Sequence, residues 1–192
     1  MSGPNIFKEN RYRTELTRYR IECAGKLTGK ILDVAGGVGA YLPYFGSDDV
    51  TVLDISEEAL RRNPCKNKVV GDACHMPFEA DSFDNVWCCS GVIYFHEKIE
   101  VFIKEAVRVT KNGGKIWICV PNPNNPYDWI KTLIHMKKFS DDEAPFFRMY
   151  SKEELSKFGR LTGEVRFFPA FFDKMIRHKP WFWNTMMLEV NA

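Results

Sequence analysis

Hydrophobic positions along the chain follow two alternating rhythms. Residues 30–35, 50–55, 68–73, 85–90 and 115–120 are short apolar runs rich in Val, Ile, Leu, Trp or Cys and bounded by turn residues, and they predict five strands. Their nearly continuous apolar character predicts strands covered on both faces, as in a parallel sheet. Between the last two, Ile99, Phe102, Ile103, Ala106 and Val107 recur at the spacing of one helix face, and Asn112-Gly113-Gly114 closes that segment. After the second strand, Ser56-Glu57-Glu58 supplies an N-cap and two acids for the first turn of a helix.

Beyond Val120 the rhythm breaks. PNPNNP holds no regular structure, and 121–147 reads as an insertion with a short helix over 127–138. Ser151 and Glu154 form a capping box for a further helix ending near Gly159. Residues 164–168 and 185–190 predict two closing strands joined by an aromatic-rich connection. Strand and helix alternation first, and a strand pair last, predict an α/β fold: a doubly wound, mostly parallel seven-stranded sheet with an antiparallel edge hairpin and helices on both faces. One domain over 1–192 is expected, with 1–28 as an N-terminal lid.

Composition narrows the function classes. The chain has 192 residues and a net charge of +2 with both signs mixed along it, which gives no electrostatic argument for nucleic acid. No apolar run approaches a membrane span, so a soluble, cytoplasmic protein is expected. The six cysteines form no CxxC pair, and Cys88 and Cys89 on one strand point to opposite faces. The four histidines have no metal-ligand spacing to another His or Cys, so no metal site is expected.

The candidate chemistry lies in ILDVAGGVGAYLPYF, residues 31–45, where three glycines and an alanine end a strand and a helix is expected to begin. Such a turn lets a ligand approach the backbone. In this architecture ligands bind at the carboxyl ends of the strands. A phosphate-binding GxxxxGK[ST] string is absent, and Gly37-x-Gly39 lacks the third glycine of a dinucleotide fingerprint. Asp33 at the end of the first strand would repel a pyrophosphate but attract an α-ammonium and a sulfonium, which favours S-adenosylmethionine. Asp54 ends the second strand, where an acid accepts from ribose hydroxyls, and Asp72-Ala73 ends the third.

DVAGGVG, LDIS, GDACHMPFEADSFDNVWCCSGVIYFHE and FIKEAVRVTKNGGKIWI together resemble the successive motifs of the class I S-adenosylmethionine-dependent methyltransferases, small-molecule branch, and MYSKEEL is similar as well. The resemblance covers about residues 30–122. It implies S-adenosyl-L-methionine as cofactor. Asp33 and the backbone of Ala35, Gly36, Gly37 and Gly39 would hold the methionine end, Asp54 and Ile55 the ribose and adenine, Asp72 and Ala73 the adenine, and Ser90 the carboxylate side. Ala35 stands where the family usually has glycine. His96 follows the fourth strand and is a candidate general base; a surface histidine opening the next helix is its other reading.

The expected activity is methyl transfer to a small-molecule acceptor at O, N or C. A non-catalytic cofactor-binding partner subunit is one alternative. A nucleic-acid methyltransferase is another, although CSGVIYF stands where an Asn/Asp-Pro-Pro motif would be needed. Residues 167–183 mix seven aromatics with cationic side chains; they suit an interfacial membrane contact, a wall for an apolar acceptor, or packing that includes a homodimer seam. Tyr12 and Tyr19, with Arg11, Arg13, Arg18 and Arg20, suit a helix over the cofactor or a solvated amphipathic helix.

Overall fold

The central strands send alternate side chains to opposite faces of one sheet, and both sets are largely buried. The computed structural model describes residues 18–89, 91–121, 150–165 and 183–192. Its elements are α1 (Arg18–Ala24), β1 (Ile31–Val34), β2 (Val50–Asp54), α2 (Glu57–Arg62), β3 (Asn67–Val70), β4 (Phe83–Cys89), α3 (Ile99–Val109), β5 (Thr110–Pro121), α4 (Lys152–Leu155), β6 (Arg160–Val165) and β7 (Trp183–Asn191). The sheet has seven strands in the order β3-β2-β1-β4-β5-β7-β6. Strands β1 to β5 pair in parallel, and β7 runs antiparallel to both β5 and β6. This is the expected doubly wound architecture, and its order reverses beside β1, where β1 lies between β2 and β4.

Leu32, Val86, Cys88, Ile116, Ile118 and Leu188 point into one core, which α3 and α4 cover with Phe102, Ala106 and Leu155. Ile31, Val52, Trp87, Trp117, Cys119 and Met187 point into the other, covered by Cys23 and Ala24 of α1 and Leu60 of α2. Cys88 and Cys89 do fall on opposite faces, and all six cysteines stand as thiols.

Local signals at helix ends are realised directly. The Ser56 hydroxyl accepts from the Ala59 N–H, and Ser151 with Glu154 completes a capping box. Four expectations are corrected. The buried stripe of α3 includes Val109, while Val107 faces solvent. The helix closes at Thr110, whose hydroxyl donates to the Ala106 carbonyl at 2.6 Å, so Asn112-Gly113-Gly114 belongs to the entry into β5. Finally, no α-helix follows the glycine turn; a three-residue 3-10 turn, Leu42–Tyr44, stands there instead. Pro43 removes a backbone donor inside it. Gly46 draws the chain back at once, since a Cβ there would lie 2.7 Å from the Gly25 carbonyl oxygen. β6 also begins earlier than the sequence suggests, at Arg160. Most of the insertion, most of the N-terminal lid, and 167–182 lie outside the described residues.

Candidate cofactor site at the carboxyl ends of the strands

The turn after β1 is built on alternating left-handed residues: φ is +53° at Ala35, +52° at Gly37 and +81° at Gly39. The three positions are constrained differently. A Cβ at Gly39 would meet Leu42 Cδ1 at 2.5 Å and Asn63 Oδ1 at 2.9 Å, so internal packing demands glycine. At Gly37 a Cβ meets nothing closer than Asp54 Oδ2 at 3.9 Å. That side of the turn is open, and a ligand can reach its backbone. Gly36 roofs a carboxylate: its Cβ would lie 2.5 Å from Asp33 Oδ2.

Asp33 is 2% exposed, and its Oδ2 has no hydrogen-bond partner among the described residues. Burial, then Cys89 and Asp54, raise its pKa well above the usual carboxylate range. A buried acid left in this state is a built-in demand for a donor or a cation. Beside it, the Cys89 thiol donates to the Tyr41 hydroxyl at 3.2 Å, and Arg20 of α1 is buried against the same group. Burial alone would lower the pKa of that guanidinium; Cys89, Cys119 and Tyr41 outweigh it and hold the pKa above the ordinary value. Arg20 therefore belongs to the interior, not to a solvated helix face.

Asp54 ties two segments together. Its Oδ2 accepts from the Gly37 N–H and its Oδ1 from the Ser56 N–H, both at 2.8 Å. Each oxygen keeps a further lone pair for a ligand hydroxyl. Ile55, next in the chain, holds its apolar side chain 76% exposed at the same strand end. Asp72 accepts from the Cys74 N–H at 2.8 Å, and its other oxygen lies 3.5 Å from His75 Nδ1. The Cys74 N–H, chiefly, lowers its pKa, and its side chain remains 42% exposed. Ala73 is buried beside it. The strand order thus brings Asp33, the turn, Asp54, Ile55 and Asp72 to one edge of the sheet. Ser90 lies outside the described residues. His96 is exposed at the start of a 3-10 turn, His96–Lys98, with φ +48°.

Two supporting residues carry no motif signal. Asn63, 3% exposed, donates to the Gly37 carbonyl at 2.7 Å and accepts from the Cys65 N–H at 2.9 Å. Gly91, just past β4, has a Cβ direction that ends 2.4 Å from the Ala35 Cβ. The Ala35 side chain is accommodated by a glycine opposite it. Among the described residues no group of three or more His, Cys, Asp or Glu side chains is arranged to hold a metal ion, and no helix is long and apolar enough to cross a membrane.

A family model described as a methyltransferase domain matches residues 32–118. The demethylmenaquinone methyltransferase of Renibacterium salmoninarum is 37% identical over 106 residues, covering 52% of this chain and 44% of that one. The chain spans 37–64% of the length of the first curated relatives it matches. A solved S-adenosylmethionine-dependent methyltransferase from Thermotoga maritima superposes with a TM-score of 0.68 at 16% identity, covering 94% of this chain and 88% of that one. A Haloferax volcanii methyltransferase solved in complex with the Trm112 activator gives a TM-score of 0.64 at 17% identity, covering 96% and 94% of the two chains.

Proposed function

We propose that this chain, a class I S-adenosylmethionine-dependent methyltransferase by family, moves a methyl group from that cofactor to a small-molecule acceptor. The observation that carries the reading is Asp33: a buried carboxyl with an unpartnered oxygen, roofed by Gly36 and adjoining a turn whose open side is Gly37. A cofactor bearing an α-ammonium answers that demand, whereas a pyrophosphate would add negative charge to it. S-adenosylmethionine supplies a methyl group on a sulfonium, and transfer is an in-line displacement in which the protein contributes mainly alignment and exclusion of water.

Asp33 and the backbone of residues 35–39 are assigned to the methionine end, with Ser90 on its carboxylate side. Asp54 is assigned to the ribose hydroxyls, Ile55 to the face of the adenine, and Asp72 and Ala73 to its edge. His96 is assigned to the acceptor side as proton acceptor where the acceptor must lose a proton. The relative from R. salmoninarum is named for demethylmenaquinone, so reduced naphthoquinones head the acceptor panel.

Calorimetry with S-adenosylmethionine, S-adenosylhomocysteine and NAD tests the cofactor, and methyl-labelled cofactor with the panel and a metabolite extract tests the transfer. Binding of the first two compounds at micromolar levels and label in a small-molecule product are expected; NAD binding as tight as theirs overturns the reading. The Haloferax neighbour is held with an activator, and transfer seen only after a protein fraction is added would make this chain the cofactor-binding subunit of a pair.

A further inference from the structure

The segment Gly91–Lys98 connects β4 to α3 through two 3-10 turns, Gly91–Tyr94 and His96–Lys98. It leaves the turn after β1 at the Ala35 and Gly91 contact, and it carries His96, which the proposed function assigns to the acceptor side. Its residues divide cleanly: Val92 is fully buried, Phe95 packs on Phe102 with ring centroids 4.7 Å apart, and Tyr94 and His96 are exposed. His96 is held at φ +48°, a conformation that a residue with a Cβ adopts at a cost.

Something must stabilise that backbone, and it comes from elsewhere in the chain. Tyr150, 1% exposed, lies 2.6 Å from the His96 carbonyl and 3.4 Å from the Val92 carbonyl through its hydroxyl. The hydroxyl has one proton, and the shorter contact claims it; the Val92 carbonyl already accepts from the Phe95 N–H at 3.0 Å. Tyr150 is itself fixed, because Ser151 beside it opens α4 with a capping box. In sequence it lies three residues beyond the 121–147 insertion.

We propose that Tyr150 is a positioning residue for the methyl acceptor: its hydroxyl, donating to the His96 carbonyl, holds the Tyr94–His96 face in the pose that meets the acceptor. The assignment rests on the methyltransferase reading. Tyr150→Phe removes the donor and keeps the ring that packs in the core. Asp33, the glycine turn, Asp54, Ile55, Asp72 and Ala73 lie on other elements.

The experiment compares wild type with Tyr150→Phe by three measurements. Calorimetry with S-adenosylmethionine should give affinities within twofold of each other. Label transfer from methyl-labelled cofactor into a metabolite extract should fall at least tenfold. The ring resonance of His96, identified by its loss in His96→Asn, should move in the Tyr150→Phe spectrum. His96→Gly, which relieves the left-handed strain, is the second variant: its melting temperature should rise while transfer falls, and adding Tyr150→Phe should cause no further loss of rate. An unmoved His96 resonance, or multiplicative losses in the double variant, overturns the proposal. The resonance is read without substrate, so a wild-type chain that fails to bind S-adenosylmethionine counts against the functional reading and leaves the resonance to decide on Tyr150.

Discussion

Gly91→Ala is the substitution whose consequence the structure specifies most closely. Gly91 is not among the residues with positive φ, so alanine adopts its backbone without strain and conformational freedom is not what selects glycine. Close approach is: the added Cβ lies 2.4 Å from the Ala35 Cβ and 3.3 Å from Cys88 Sγ. Carbon atoms in contact prefer about 3.5–4.0 Å, so the two methyl groups overlap by more than about 1 Å. Both are fixed to backbone and cannot rotate away, which puts the cost at the upper end of the roughly 1–3 kcal/mol of overpacked cores.

Ala35→Gly alone relieves left-handed strain of about 1–2 kcal/mol and returns about 0.4–1 kcal/mol to the unfolded chain's entropy. It should therefore be neutral to mildly stabilising. In the double variant the methyl at 91 meets the backbone Cα of residue 35 at 3.7 Å, an ordinary contact, so most of the cost of Gly91→Ala disappears. The expected coupling is about 1–3 kcal/mol. Urea unfolding of the four proteins measures it, with cofactor affinity followed in parallel, since the same contact joins the turn after β1 to the segment after β4. Effects that add to within about 0.5 kcal/mol would refute the reasoning, because independent sites do that.

The remaining predictions concern the strand ends. Asp33 holds its proton to higher pH in the folded state than its ordinary value of about 3.9 in the unfolded one, so its contribution to stability is full below pH about 4 and is lost as pH rises. Asp33→Asn should then out-melt wild type by a margin that grows from acid to neutral pH, while binding S-adenosylmethionine at least tenfold more weakly; a margin flat with pH rejects the buried-acid account. Gly37→Ala should cost about 1 kcal/mol of stability but more than tenfold in cofactor affinity, and Gly39→Ala should show the reverse weighting because its Cβ meets Leu42 and Asn63; paired denaturation and calorimetry decide. Asp54→Ala should weaken cofactor binding at least tenfold and also lower stability by about 1–3 kcal/mol, since the Gly37 and Ser56 N–H groups lose their acceptor. Loss of stability with unchanged affinity would make Asp54 a structural tie alone.

What the sequence determined by itself was everything carried by near neighbours along the chain. Strand alternation, the helical face from Ile99 to Ala106, the Ser56 cap and the Ser151 capping box depend on spacings of two to four residues, which backbone geometry converts directly into faces and hydrogen bonds. The ligand class was legible for the same reason: acids and glycines at successive strand ends arrive at one edge of any sheet wound this way. Tertiary structure alone decided how those ends are fixed. Asn63 on the Gly37 carbonyl, Gly91 against Ala35 and Tyr150 on the His96 carbonyl join positions 26, 56 and 54 apart, and no local periodicity encodes a partner at such a distance. The missing helix after the turn, the inward guanidinium of Arg20 and the unpartnered oxygen of Asp33 belong with them. Each depends on which surfaces are stacked above the residue and on what water they exclude, and these exist only once the sheet and both helical layers have assembled.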